Sequence, residues 1–337
     1  MNSDLSPEIA RLELDELPQL VDCVRRCYGE SYPFPAIYDV DKLRELIETK
    51  LMHSTIAKLS NGEIVGHCAL TFDGPQNTTP ELGKMLVDPG YRGHGIAEKM
   101  VKQCVDLAKT LCFPGFWAEC ITNHPHSQHE LIVLDAKETG LFIGDIPPTI
   151  SMQGLQNFVD TRMSLLTYYL ALIDQPHTIF LPIEHLDHVK DLAKELNLNR
   201  NISNSDKKGE GETILETVVN SSIQTANITI IHIGIDFKAC VESELKRFDA
   251  PKLASIYLDL PIEREAASNA YLELEELGFF WGSWLPHYSN HRDILRLQKI
   301  YQPVNPDEII CARTQGELVK QYVLSECARV SQRNSNT

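Results

Sequence analysis

LVDPGYRGHGIA, residues Leu86 to Ala97, decides the reading of this 337-residue chain. The stretch reads as a strand that stops and hands over to a helix whose first turn can grip an anion. Leu86 and Val87 close an apolar run, and Pro89, lacking an N–H, cannot donate to a sheet ladder. A helix is expected from about Arg92, opening on Arg92, Gly93, His94, Gly95, Ile96 and Ala97. Glycines there let the backbone approach a ligand while unpaired N–H groups point at it, an arrangement suited to phosphate. Ile96, Met100, Val101, Cys104, Leu107, Ala108 and Leu111 then recur at helical spacing. A dinucleotide-binding turn fits poorly, because its remaining glycine and its acidic residue have no equivalent around Lys99 and Met100.

Arg92, Gly95 and Ala97 stand at the three defining positions of the Gln/Arg-x-x-Gly-x-Gly/Ala signature, and the chain resembles the GNAT acetyltransferase superfamily. The order of expected elements in the first half agrees. A strand at 9–14, helices at 16–28 and 40–50, and a hairpin of strands 55–59 and 63–72 turning at Asn61-Gly62 come first. They are followed by a strand from Glu81 to Val87, the motif helix, a strand at 116–122, a helix at 127–137, and strands at 140–146 and 162–172. The resemblance implies an α/β (α+β) protein of GNAT fold, with a mixed, mostly antiparallel twisted sheet flanked by helices. It implies that acetyl-CoA is the co-substrate, its pyrophosphate on Gly93, His94, Gly95, Ile96 and Ala97 with Arg92 adding charge. Pantetheine would run along Met85, Leu86 and Val87.

Acetyl transfer to an amine needs a free lone pair, a stabilised oxyanion and a proton for the leaving thiolate. Glu81, eleven residues before Arg92, occupies the place where several GNAT enzymes carry a catalytic glutamate; alternation would put it on one face with Met85 and Val87. Glu119, in FWAECIT on the neighbouring strand, is the second candidate base. The family's usual acid is a tyrosine four residues before a Gly-Phe pair. Here that alignment gives Leu131, Asp135 and Ala136, so the acid is looked for among His124, His126 and His129, with His126 taken as the candidate, or among Tyr28, Tyr32 and Tyr38. No carboxylate or cysteine at ligand spacing joins the histidines, and no metal is expected.

Composition bounds the setting. Hydrophobic content of 43% suits globular domains, and the length suggests two. A net charge of −16 argues against nucleic acid and anionic membrane as partners and is compatible with an amine, either a small molecule or a protein amine. The N-terminal stretch has neither the basic nor the apolar region of a signal peptide and no run approaches eighteen apolar residues, so a cytoplasmic protein is expected. A homodimer is compatible with this picture. The nine cysteines read as reduced, with Cys68, Cys104, Cys112 and Cys240 in apolar surroundings and Cys23 and Cys27 packed one helical turn apart.

The pattern restarts near residue 176. Strands at 177–181, 213–221, 226–234, 255–260, 279–285 and 294–300 and helices at 187–196, 237–248, 263–277 and 316–330 are expected, with RNISNSDKKGEGE as a loop that buries nothing. AASNAYLELEELGFF, ending on Gly278 and Phe279, resembles the fourth helix of the family. Where a pyrophosphate arm would lie stands HIGIDFKAC, with Asp236 expected to cap the helix and occupy its donors. The division is therefore 1–175, a GNAT acetyl-CoA-binding catalytic domain, and 176–337, a degenerate GNAT-like domain without a cofactor motif. Two functions follow from the resemblance: an N-acetyltransferase acting by direct attack in a ternary complex, or a CoA-binding sensor or interaction protein with weak or absent catalysis.

Overall fold

The computed structural model describes residues 6–149, 161–248, 252–302 and 304–335. In the first half the elements are β1 (Glu8–Arg11), α1 (Leu17–Tyr28), α2 (Val40–Glu48), β2 (Met52–Lys58), β3 (Ile64–Thr71), β4 (Glu81–Val87), α3 (Ile96–Thr110), β5 (Gly115–Ile121), α4 (His126–Val133), β6 (Lys137–Ile146) and β7 (Met163–Ala171). The second half comprises β8 (His177–Phe180), α5 (Leu186–Glu195), β9 (Arg200–Ser203), β10 (Ile214–Asn220), β11 (Thr225–His232), α6 (Phe237–Leu245), β12 (Ser255–Pro261), α7 (Ala267–Glu276), β13 (Phe280–Ser289), β14 (Arg292–Ile300) and α8 (Thr314–Ser335).

Twelve strands form one sheet in the order β1-β2-β3-β4-β5-β7-β6-β13-β14-β12-β11-β10, and β8 pairs with β9 apart from it. Within the twelve-stranded sheet all neighbours run antiparallel except β4–β5 and β11–β12, and the separate pair β8–β9 is parallel. The run β3-β4-β5-β7-β6 and the run β10-β11-β12-β14-β13 share order and pairing sense, and a helix follows the second and third strand of each. The halves meet at β6–β13, through the pair Gly140 and Ser283. Only glycine fits at Gly140, where a Cβ would lie 2.1 Å from the Gly282 carbonyl oxygen and 2.4 Å from Ser283 Cα. One apolar core runs through both halves, from Leu82 and Trp117 through Phe142 to Trp281 and Leu295; a second lies under α1 and α2 around Leu20, Val24, Ile37 and Leu43.

Several local expectations change. The motif helix starts at Ile96, because Gly93 (φ +78°) and Gly95 (φ +68°) hold the preceding residues in the left-handed region. α4 ends at Val133, since Asp135 (φ 68°) turns the chain and Lys137 already belongs to β6. RNISNSDKKGEGE begins as β9, and its Arg200 is buried against Asp293 and Asp174 at 2.8 and 2.7 Å. Cys112 is exposed, while Cys23, Cys27, Cys68 and Cys104 are buried. Among the described residues no helix is long and apolar enough to cross a membrane.

Candidate active site

β4 is held to β3 in antiparallel register on both sides of Cys68, but one extra residue is inserted opposite it. Gly83 pairs with Ala69 and Leu86 with His67, and Lys84 takes φ 53° in the resulting bulge. The bulge overturns the face assignment made from simple alternation. Glu81 shares its face with Leu86, and Met85 and Val87 lie on the other, toward the α3 core. Buried His67 fixes the bulge: its Nδ1–H donates to the Lys84 carbonyl at 2.9 Å, and Nε2 lies 3.1 Å from Ser54 Oγ. Burial lowers the His67 pKa to about 4, so the ring stays neutral.

β4 and β5 then separate. Glu81 and Trp117 are their one register pair, supported by the Trp117 N–H donating to the Pro80 carbonyl at 3.0 Å. Beyond that point both parallel strands present unpaired backbone toward the gap between them. At the far end Asp88 pins the turn, accepting from Gly90 N–H at 3.0 Å and from Arg26 Nε at 2.6 Å. Arg92 Nε donates to the Val87 carbonyl at 3.0 Å. No carbonyl or side chain among the described residues accepts from the amides of Gly93, His94, Gly95, Ile96, Ala97 or Glu98, and α3 has no side-chain cap. Nothing lies within 4 Å of where a Cβ would stand on Gly93 or Gly95. An open row of donors at a helix N-terminus fits a diphosphate.

Glu81 and Glu119 come together on one face of the sheet. Glu81 is ion-paired with the bulge residue Lys84 at 2.9 Å, and the Lys84 ammonium lies 5.0 Å from the Phe34 ring centroid. Glu119 is partly buried, and among the described residues nothing hydrogen-bonds its carboxylate. Burial, then the negative charges of Glu81 and Asp145, push its carboxyl well above the usual range, against the opposing pull of Arg296. Tyr28 and Tyr32 pack edge to face at 4.7 Å, and Tyr38 Oη accepts the Tyr32 N–H at 3.0 Å, so the α1–α2 connection covers this face. Burial raises the Tyr32 phenol, with Glu81 among the charges adding to it.

His126 is not part of this cluster. It is exposed at the start of α4, beside His124 with ring centroids 5.1 Å apart. α4 packs through Gln128 on Tyr168, which pairs with Ala118 and faces away from Glu119. Leu131, at the position of the family's tyrosine, is buried, and Asp135 ends α4 as Gly278 (φ +87°) ends α7.

Asp236 also departs from expectation. It stands before α6 but makes no cap bond, and its carboxylate instead accepts the Thr213 N–H at 2.8 Å. The approach to α6 is packed: Ile235 N–H donates to the Gly211 carbonyl at 3.0 Å and Gly234 N–H to Thr213 Oγ1 at 3.1 Å, although the first-turn amides of Phe237, Lys238 and Ala239 have no acceptor among the described residues.

Sequence reasoning missed His67, Lys84, Asp73, Tyr288 and Arg296. A lone histidine and lysine inside apolar strands were visible signals; Tyr288 and Arg296 reach the site only through the pairing of the halves. His177, His287 and Asp293, and Glu184, His185 and Glu275, also bring possible ligand atoms within 4.8 Å of one another. Arginine guanidinium groups fill both clusters, Arg200 on Asp293 and Arg329 on Glu275.

Residues 17–130 match the model of the acetyltransferase (GNAT) family. Residues 17–130 thus form a GNAT acetyltransferase domain within the longer chain. Among solved structures it is similar to an N-acetyltransferase from Staphylococcus aureus at 18% identity, over 49% of this chain and 97% of that one, with a TM-score of 0.38. A spermidine/spermine N-acetyltransferase from Vibrio cholerae matches at 12% identity, over 49% and 93%, TM-score 0.38. A ribosomal-protein-alanine N-acetyltransferase from Brucella melitensis matches at 16%, over 49% and 99%, TM-score 0.38. No curated protein matches the chain.

Proposed function

We propose that the protein is an acetyl-CoA-dependent N-acetyltransferase acting on a primary amine by direct attack in a ternary complex. The observation that carries this reading is the open row of amides from Gly93 to Glu98 at the end of a strand that has left its neighbour. Gly93 to Ala97 would hold the pyrophosphate, and the free edge around Met85 to Val87 would pair with the amides of pantetheine. Acetyl-CoA, when bound there, supplies an activated acetyl thioester.

Glu119 is the group best placed to take the proton of the acceptor amine, since its raised carboxyl has no competing hydrogen bond. Glu81, tied to Lys84, orients the face on which the amine sits. The second half is read as a GNAT-like unit without a cofactor site. Leu131 in place of the tyrosine favours the second reading, a CoA-binding sensor. A screen of amines for thiol release from acetyl-CoA decides between them: release supports transfer, and tight CoA binding with no amine consumed supports the sensor.

A further inference from the structure

The two runs of strands that share one order end differently. β3 opens the first run, and its outer edge is taken by β2 in antiparallel register from Met52–Thr71 to Lys58–Ile64, after which β1 closes the sheet. β10 holds the place of β3 in the second run, but it is the last strand of the sheet. Among the described residues nothing pairs with its outer edge.

The two ends of the sheet also carry different side chains. β1 is four residues long and begins and ends on the exposed Glu8 and Arg11, charges that discourage further pairing. β10 runs for seven residues, ILETVVN, without proline or lysine, and exposes Ile214 (53%), Val218 (69%) and Val219 (52%). Beside Leu215, Thr217 and Val219 lies an open groove of about 350 Å³, walled on its other side by Glu244, Arg247 and Phe248. The Thr217 hydroxyl has no hydrogen-bond partner there. A bare backbone edge flanked by apolar side chains is a template for one more strand.

We propose that a second copy of the chain supplies that strand, its β10 pairing antiparallel with this one about a two-fold axis through Thr217. In that register Leu215 of one copy stands opposite Val219 of the other on the groove face, so the two grooves run together across the axis. The ends of the strand complement each other in charge. Exposed Glu210 and Glu212 precede β10. Because α6 returns the chain from the end of β11 to the start of the parallel β12, its last turn, followed by exposed Lys246 and Arg247, lies at the C-terminal end of β10. Antiparallel pairing therefore sets the acidic end of each copy beside the basic end of the other, which favours a second copy over an unrelated strand.

Light scattering and sedimentation of the full chain, together with cross-linking, test this. The wild type should run at twice the mass of one chain. Val218→Lys, at an exposed position, should raise the dimer dissociation constant tenfold or more. With the exposed native Cys112 replaced by Ser, Thr217→Cys should form an inter-chain disulfide on mild oxidation, because the axis brings that residue against its own copy. Val219→Cys should cross-link only when mixed with Leu215→Cys. Unchanged acetyl-CoA affinity and circular dichroism show that the variants fold. A chain that is monomeric at every concentration measured, a dimer that Val218→Lys does not weaken, or a Thr217→Cys variant that fails to cross-link overturns the proposal.

Discussion

At the β4–α3 junction one register pair joins the strand to its parallel neighbour, and the amides of residues 93–98 have no acceptor among the described residues. At the β11–α6 junction five pairs, from Thr225–Ser255 to Thr229–Asp259, zip the strands together, and Gly211 and Thr213 take the amides of Ile235 and Gly234. The strand order around the two junctions is the same. Topology therefore does not make a cofactor site; it offers a place where one forms if the strands are kept apart and the residues leading into the helix are left unpacked. Two local features do this in the first half. The bulge at Lys84 offsets β4, and left-handed Gly93 and Gly95 delay the helix.

The largest expected effect is at Gly95. A side chain there is strained at φ +68°, and in Gly95→Glu its carboxylate competes for the donors meant for phosphate. The stabilisation by acetyl-CoA, about 2.7 kcal/mol at a hundredfold excess over Kd, should vanish in thermal melts, whereas Thr213→Ala at the second junction should leave it in place. Next comes Glu119→Gln, which should lower kcat by roughly 10²–10⁴. Because burial raises the wild-type carboxyl, turnover should climb with pH through a window above the ordinary carboxylate range, and the Gln variant should flatten that limb. A wild-type profile already flat there removes Glu119 as the base.

These contrasts were unevenly legible in the sequence. The bounds of β4, the glycine pair and the order of the elements could be read directly, because each depends on local stereochemistry or on hydrophobic period. The bulge could not, since it is a matter of register against β3, and with it went the face of Glu81. Asp236 read as a cap because cap chemistry is local, but tertiary contact gave its carboxylate to Thr213. Arg200 looked like part of a solvated loop, and its partners Asp174 and Asp293 lie 26 and 93 residues away. Tyr288 and Arg296 reach the site for the same kind of reason, through a pairing of halves that no short window contains.

A smaller effect concerns His67, which holds the bulge. Its pKa falls from 6.5 to about 4 on folding, so the unfolded chain binds the proton more readily. That contribution is fully present above pH 6.5 and is lost as pH falls toward 4, on the order of 3 kcal/mol in all. Denaturant melts across this window should show the decline, and His67→Gln should remove this component of it. The smallest is at the β11–α6 junction. Thr213→Ala removes the hydroxyl that accepts the Gly234 N–H and should cost about 1 kcal/mol, with no second acetyl-CoA bound by calorimetry.

The most direct test of the contrast is the stoichiometry of acetyl-CoA binding to the full chain by titration calorimetry. One molecule per chain is expected in the wild type and none in Gly95→Glu. Two molecules per chain, or one that persists in Gly95→Glu, would contradict the assignment of the site to the β4–α3 junction.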